Sequence, residues 1–148
     1  MDEIDKKIIR ILQKDARTPF IHIAHHINVS RDTINNRFNE LNKNNIIRGT
    51  TILINPKKTI EGTLAFIGIK TKVPDIESIL EQIKKMPGIC SISRAIGDYN
   101  IEGILLGKSM EEMSQTKEII ENIPAVIDVI VEVFVDTPLL CPQNFEFE

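Results

Sequence analysis

The sequence predicts an α+β protein, with three short helices in its first third and a βαββαβ sheet unit in the remainder. Three observations lead there. Apolar residues recur at spacings of three and four between Ile4 and Leu41, the period of helices with one buried face. A short polar break at Asn28 interrupts that pattern. From Leu64 onward, runs rich in Ile and Val alternate with helical stretches and are punctuated by Pro and Gly.

Ile4, Ile8, Ile11 and Leu12 mark the buried stripe of a first amphipathic helix in DEIDKKIIRILQKDAR. The stretch FIHIAHHINVSRDTINNRFNEL, residues 20–41, then reads as two helices joined by a tight turn. Ile23, Ala24 and Ile27 share one face, and Ala24 is small where a second helix would cross closely. Asn28 tolerates the left-handed backbone of the turn, Val29 plugs the angle between the helices, and Ser30 is a good N-cap. In the following helix Ile34, Phe38 and Leu41 face inward. Arg31, Asp32, Thr33, Asn35, Asn36, Arg37 and Asn39 are left to face outward. Asn44 and Asn45 end this helix. IIRGTTILIN, residues 46–55, reads as a strand, and Pro56, Lys57, Lys58 and Gly62 suggest a hinge.

In the second half, residues 64–73 form a strand and residues 75–86 a helix with Ile76, Ile79, Leu80 and Ile83 on one stripe, stopped by Pro87 and Gly88. Residues 89–96 are a second strand. Gly97, Asp98, Tyr99 and Asn100 turn into a third strand at 101–107, Ser109 caps a helix through Asn122, and 126–135 make the last strand. Such a split repeat gives a four-stranded antiparallel sheet with both helices on one face. On the other face Ile130 and Phe134 remain among Asp128 and Glu132, a reason to expect a second copy packed sheet to sheet. The expected domains are 1–50, a helix-turn-helix unit; 51–62, strand and linker; and 63–148, the sheet unit.

The net charge of −3 conceals two opposite halves. Residues 1–60 hold eleven Lys and Arg against six Asp and Glu (+5), and residues 61–148 hold seven against fifteen (−8). A basic first half suits phosphate, and an acidic second half would be repelled by it. No apolar run approaches the roughly 20 residues of a membrane span, and MDEIDKK lacks a secretory core, so a cytoplasmic location is expected. Cys90 and Cys141 are too few for a disulfide framework; Cys90, in an apolar strand, is expected to be buried. His22 and His26 lie one helical turn apart but lack a third ligand, so no metal is expected, and no cofactor or enzyme motif is present.

Taken together, these residues resemble the Lrp/AsnC (leucine-responsive, feast/famine) family of transcriptional regulators. IDKKIIRILQKDAR is similar to the family's first helix, INVSRDTINNRFNEL to its helix-turn-helix, and IIRGTTILINP to the strand after it. GDYN falls where the family has a Gly-Asp-Tyr-Asp turn. Two positions depart: Asn28 stands for the usual glycine, and Asn100 for an aspartate that lies close to the effector site in family members. The resemblance implies a winged helix-turn-helix domain followed by a ferredoxin-like domain. It also implies a homodimer, often assembled into tetramers or octamers, that binds pseudo-palindromic double-stranded DNA.

Within such an interface Arg31, Asp32, Thr33 and Asn36 are expected to read base edges, since arginine forks onto guanine, asparagine onto adenine, and the threonine methyl meets thymine. Ser30 and Arg37 are expected on phosphates, with Arg17, Lys43, Arg48, Lys57 and Lys58 extending the backbone contact. The resemblance places an amino-acid effector at Gly97, Asp98, Tyr99 and Asn100, meeting a neighbouring subunit. On the residues alone that turn reads equally as a plain hairpin, because Gly, Asp and Asn are what a hairpin takes. Two rivals remain at this level: a ligand sensor that does not use DNA, and an architectural protein that coats DNA with weak sequence preference. A sensor has no reason for a basic three-helix unit ahead of its sheet.

Overall fold

A computed structural model describes residues 1–59, 61–136 and 138. They form two compact units, Met1–Leu53 and Ile54–Pro138. Cys141 and the end of the chain lie outside the described residues.

The first unit holds α1 (Glu3–Lys14), α2 (Phe20–Ile27) and α3 (Arg31–Lys43). A capping box opens α1: the Asp2 carboxylate accepts from the Ile4 and Asp5 amides, and the Asp5 carboxylate accepts from the Asp2 amide. The core is Ile8 and Ile9 of α1, Ile23 and Ala24 of α2, and Ile34 and Leu41 of α3, with Val29 and Ile47 packed against it. Ile9 was not on the expected stripe, which ran through Ile11 and Leu12; both of those are only half-buried. Phe20 and Phe38 close one side with ring centroids 5.1 Å apart.

The turn between α2 and α3 follows from its residues. Asn28 takes the left-handed conformation (φ 59, ψ 51), and the Val29 amide reaches back to the Ala24 carbonyl at 3.0 Å. Ser30 then caps α3, its hydroxyl accepting from the Thr33 amide at 3.0 Å. Asn44 ends α3, and Asn45 again carries positive φ.

The strand expected over residues 46–55 does not form. Residues 46–55 take no regular structure, and Ile52, Leu53 and Ile54 are exposed. A strand needs a neighbour for its ladder, and no described segment pairs with this one. The expected hinge contains a four-residue helix, α4 (Pro56–Thr59), whose last threonine bonds the Asn55 carbonyl through its hydroxyl.

The second unit continues with β1 (Thr63–Thr71), α5 (Ile76–Ile83), β2 (Ile89–Arg94), β3 (Ile101–Gly107), α6 (Met110–Glu121) and β4 (Val126–Val133). The four strands lie in the order β2-β3-β1-β4 with every pair antiparallel. Ala65, Ile67 and Ile69 of β1 are fully buried and join Ile76, Ile79 and Ile83 of α5 and Met113 and Ile120 of α6, so both helices cover one face. Ser109 caps α6 as expected from its hydroxyl. Cys90, by contrast, is exposed. It sits on the edge strand at the irregularity between Ile89 and Ser91, where one extra residue turns its side chain out of the core.

Candidate nucleic-acid interface and effector turn

Alternation of the α3 sequence about Ile34 and Leu41 decides which of its side chains meet solvent. Arg31, Asp32, Asn35, Asn36 and Asn39 are exposed, and Thr33 is half-buried with its hydroxyl 2.8 Å from that of Ser30. The expected base-reading set is therefore gathered on the first two turns of one short helix, directly after a rigid cap. Lys43 is exposed in the last turn, and Arg17 and Arg48 are exposed in the segments flanking the helices. Ser30 is the helix cap first, since its oxygen already holds the Thr33 amide.

Arg37, expected on phosphate, is placed differently. Its Nη1 lies 2.8 Å from Asp2 Oδ2 and 3.6 Å from Asp5 Oδ1 at the start of α1. The Asp2 carboxyl is held below its ordinary range, chiefly by the Asp5 amide and further by Arg37. Composition alone did not reveal this pairing, because residues 2, 5 and 37 meet only once the helices cross.

Other cations were missed for a simpler reason. Lys7, Arg10 and Lys14 of α1 line a shallow groove with His26 and the Asn28 turn, at the same helical period that marks the apolar stripe. His22, His25 and His26 are all exposed.

In the second unit the turn at 97–100 is fastened by its own residues at two points. The Asn100 side chain makes a two-way bond with the Thr71 main chain: its Oδ1 accepts from the Thr71 amide at 2.9 Å, and its Nδ2 donates to the Thr71 carbonyl at 2.7 Å. Thr71 itself is buried and donates its hydroxyl to the Ala125 carbonyl at 2.7 Å. The other fastening is Tyr99, whose hydroxyl donates to Asp128 Oδ2 at 2.9 Å. That bond raises the phenol pKa, with burial and the charges of Asp128, Asp98 and Glu132 adding to the effect. The Tyr99 ring lies over Gly68, where a Cβ would stand 3.0 Å from Tyr99 Cγ and 3.1 Å from side-chain atoms of Ile130 and Phe66. Glycine at 68 thus makes room for the ring on the face opposite the helices. Gly97 and Asp98 are exposed, and Asn100 turns its amide inward.

The same face carries Leu64 and Phe66 of β1, Ile104 and Leu106 of β3, and Ile130 of β4, all half-buried. Arg94 reaches Glu77 of α5 at 3.9 Å rather than the acidic residues of this face. Among the described residues, no group of His, Cys, Asp and Glu could hold a metal ion, and no helix is long and apolar enough to cross a membrane.

Comparison with known proteins agrees with this geometry. Residues 1–42 match the model of the AsnC-type helix-turn-helix domain. The chain is 32% identical over 126 residues to the HTH-type transcriptional regulator FL11 of Pyrococcus horikoshii, covering 85% of this chain and 83% of that protein. The crystal structure of PH0061 superposes with a TM-score of 0.83 at 26% identity, covering 95% of this chain and 96% of that one. At 19% identity the fold, but no more, is shared with a Neisseria meningitidis regulator, NMB0573, solved as a complex with L-Met (TM-score 0.79, 92% of this chain and 90% of that one).

Proposed function

The chain belongs to the Lrp/AsnC family of helix-turn-helix transcriptional regulators, and from that footing we propose that it binds pseudo-palindromic promoter sites sequence-specifically as a dimer or higher oligomer. The observation that carries this reading is the capped helix α3, with Arg31, Asp32 and Asn36 exposed on its first two turns beside Thr33. A helix of that kind enters the major groove with its N-terminal residues on base edges. Arg17, Lys43 and Arg48 hold phosphates on either side, with the Ser30 end of the helix seated against the backbone. Members of this family are regulators rather than enzymes, and the protein acts in the cytoplasm, where its DNA is.

Two substitutions separate reading from holding. Asn36→Ala is expected to narrow the gap between operator and random DNA by about 1–3 kcal/mol. Lys43→Ala is expected to weaken both equally and reduce the salt slope by about 0.9. Fluorescence anisotropy over a salt series measures both quantities. If neither variant changes affinity, specificity or slope, α3 is not the reading element.

The open sheet face supports the dimer. Leu64, Phe66, Ile104, Leu106 and Ile130 make an apolar patch too continuous to leave in water, and a second copy presents the same patch in return. Light scattering at micromolar concentration is expected to return a dimer or larger, a tetramer or octamer included; a monomer would contradict it.

An amino acid or related small molecule bound at the 97–100 turn modulates the regulator in this reading. The exposed carboxylate of Asp98 suits an ammonium group, and glycine at 97 lets a ligand approach the main chain. Asn100 and Tyr99 serve there mainly by fastening the turn. Calorimetry across a panel of amino acids tests the effector, and silence from all of them would leave a regulator without one.

A further inference from the structure

We infer that Arg37 is a positioning residue that sets the rotation of the DNA-reading helix by pairing with the start of α1, and that it does not hold a DNA phosphate.

The inference begins with how little apolar surface anchors α3. Of its thirteen residues only Ile34 and Leu41 are buried, two turns apart on nearly the same line. Two anchors in line fix where the helix lies and leave its roll about its own axis weakly held. Each flank therefore needs a further contact. On one side Phe38 packs on Phe20. On the other, Arg37 reaches Asp2 and Asp5.

That second contact is built rather than incidental. Asp5 is only 7% exposed, one of two buried polar residues in the described structure. Its carboxylate accepts from the Asp2 amide through Oδ2 and faces Arg37 through Oδ1. Asp2 in turn caps α1 while meeting the same guanidinium nitrogen. The acid pair that starts α1 thus also steadies the middle of α3. A phosphate drawing Arg37 away would leave the Asp5 carboxylate, already largely out of water, with its cation removed, which is costly for a buried charge.

The consequence for recognition is geometric. Asn36 precedes Arg37, and Asp32 and Thr33 lie about one turn before it, so a change of roll at Arg37 swings those side chains relative to the base edges. This rests on the DNA-reading role proposed for α3. The two claims fail differently: if wild-type protein does not bind operator DNA above random DNA, the role of α3 fails, whereas the variants below bear on Arg37 alone.

The test is a salt series of DNA affinity for Arg37→Ala, Arg37→Lys, Asp5→Asn and the double variant Asp5→Asn with Arg37→Ala. Arg37→Ala is expected to lose roughly three- to tenfold in operator affinity, and the log-log salt slope is expected to equal that of the wild type. Asp5→Asn, which carries no positive charge to lose, is expected to reproduce that loss. The double variant is expected to be no worse than the weaker single, as for two ends of one contact. Arg37→Lys is expected to recover part of the affinity. A slope shallower by about 0.9 in Arg37→Ala, with Asp5→Asn binding as tightly as the wild type, would overturn the inference and return Arg37 to the phosphate backbone. Should Arg37→Ala prove too unstable to assay, Asp5→Asn and Arg37→Lys decide alone: wild-type affinity in both, with the wild-type slope kept by the lysine that still carries the charge, overturns it.

Discussion

Ile34→Ala is expected to abolish DNA binding while the sheet unit stays folded. Ile34 is fully buried at the centre of the first unit, packed with Ile8, Ile23 and Leu41. Truncating such a side chain costs about 2–5 kcal/mol, the lost transfer energy plus that of the cavity left behind. A unit of residues 1–53 has little stability to spare, since small domains bury a modest share of their surface. The second unit has a separate core around Ile67, Ile69 and Ile79, which the substitution does not touch. Amide hydrogen exchange followed residue by residue checks this. Protection is expected to vanish across Phe20–Ile27 and Arg31–Lys43 and to persist in β1 and β3. Equal loss in both units would mean that they do not unfold independently.

Asn100→Asp is expected to destabilise the second unit by roughly 1–3 kcal/mol at neutral pH, the usual penalty for leaving a buried hydrogen-bonding group unpaired. The wild-type amide donates to the Thr71 carbonyl at 2.7 Å and accepts from the Thr71 amide at 2.9 Å. An ionised carboxylate keeps the second bond and faces the carbonyl with a second oxygen, acceptor against acceptor. The protonated acid regains a donor. The folded state therefore raises the pKa of the new carboxyl, and the deficit grows as pH climbs through that raised value. It shrinks again as pH falls toward the unfolded pKa of about 3.9. Thermal unfolding of variant and wild type across that range reads the difference directly. A deficit independent of pH, or none at all, would mean that the amide at 100 does not fasten the turn.

These two sites show what the sequence reveals and what it hides. The helices were legible because burial imposes a period: Ile8, Ile23, Ile34 and Leu41 stand where the spacing puts them. The α2–α3 turn was legible because Asn28 and Ser30 are specified by local backbone chemistry, the left-handed residue and the cap. The order of strands and helices in the second unit followed from the same local punctuation.

What escaped depends on partners far apart in the chain. Residues 46–55 have the composition of a strand, but composition cannot supply a neighbouring strand. Cys90 lies in an apolar run, yet one extra residue in an edge strand is enough to face it outward. Arg37 looked like its neighbours on a polar helix face until α1 was laid across it. Asn100 looked like a lost ligand, whereas in the structure it is matched to the main chain of Thr71, twenty-nine residues earlier. Local propensity carries no information about such pairings.

The most direct measurement of sequence-specific binding is a competition titration of the full chain on DNA from upstream of its own gene, against random duplex of equal length, at two stated salt concentrations. Binding to the upstream DNA tighter by about 10³-fold or more, with both affinities falling as salt rises, is the expected result. Equal affinity for the two duplexes at both salts would contradict it and leave a protein that coats DNA without reading it.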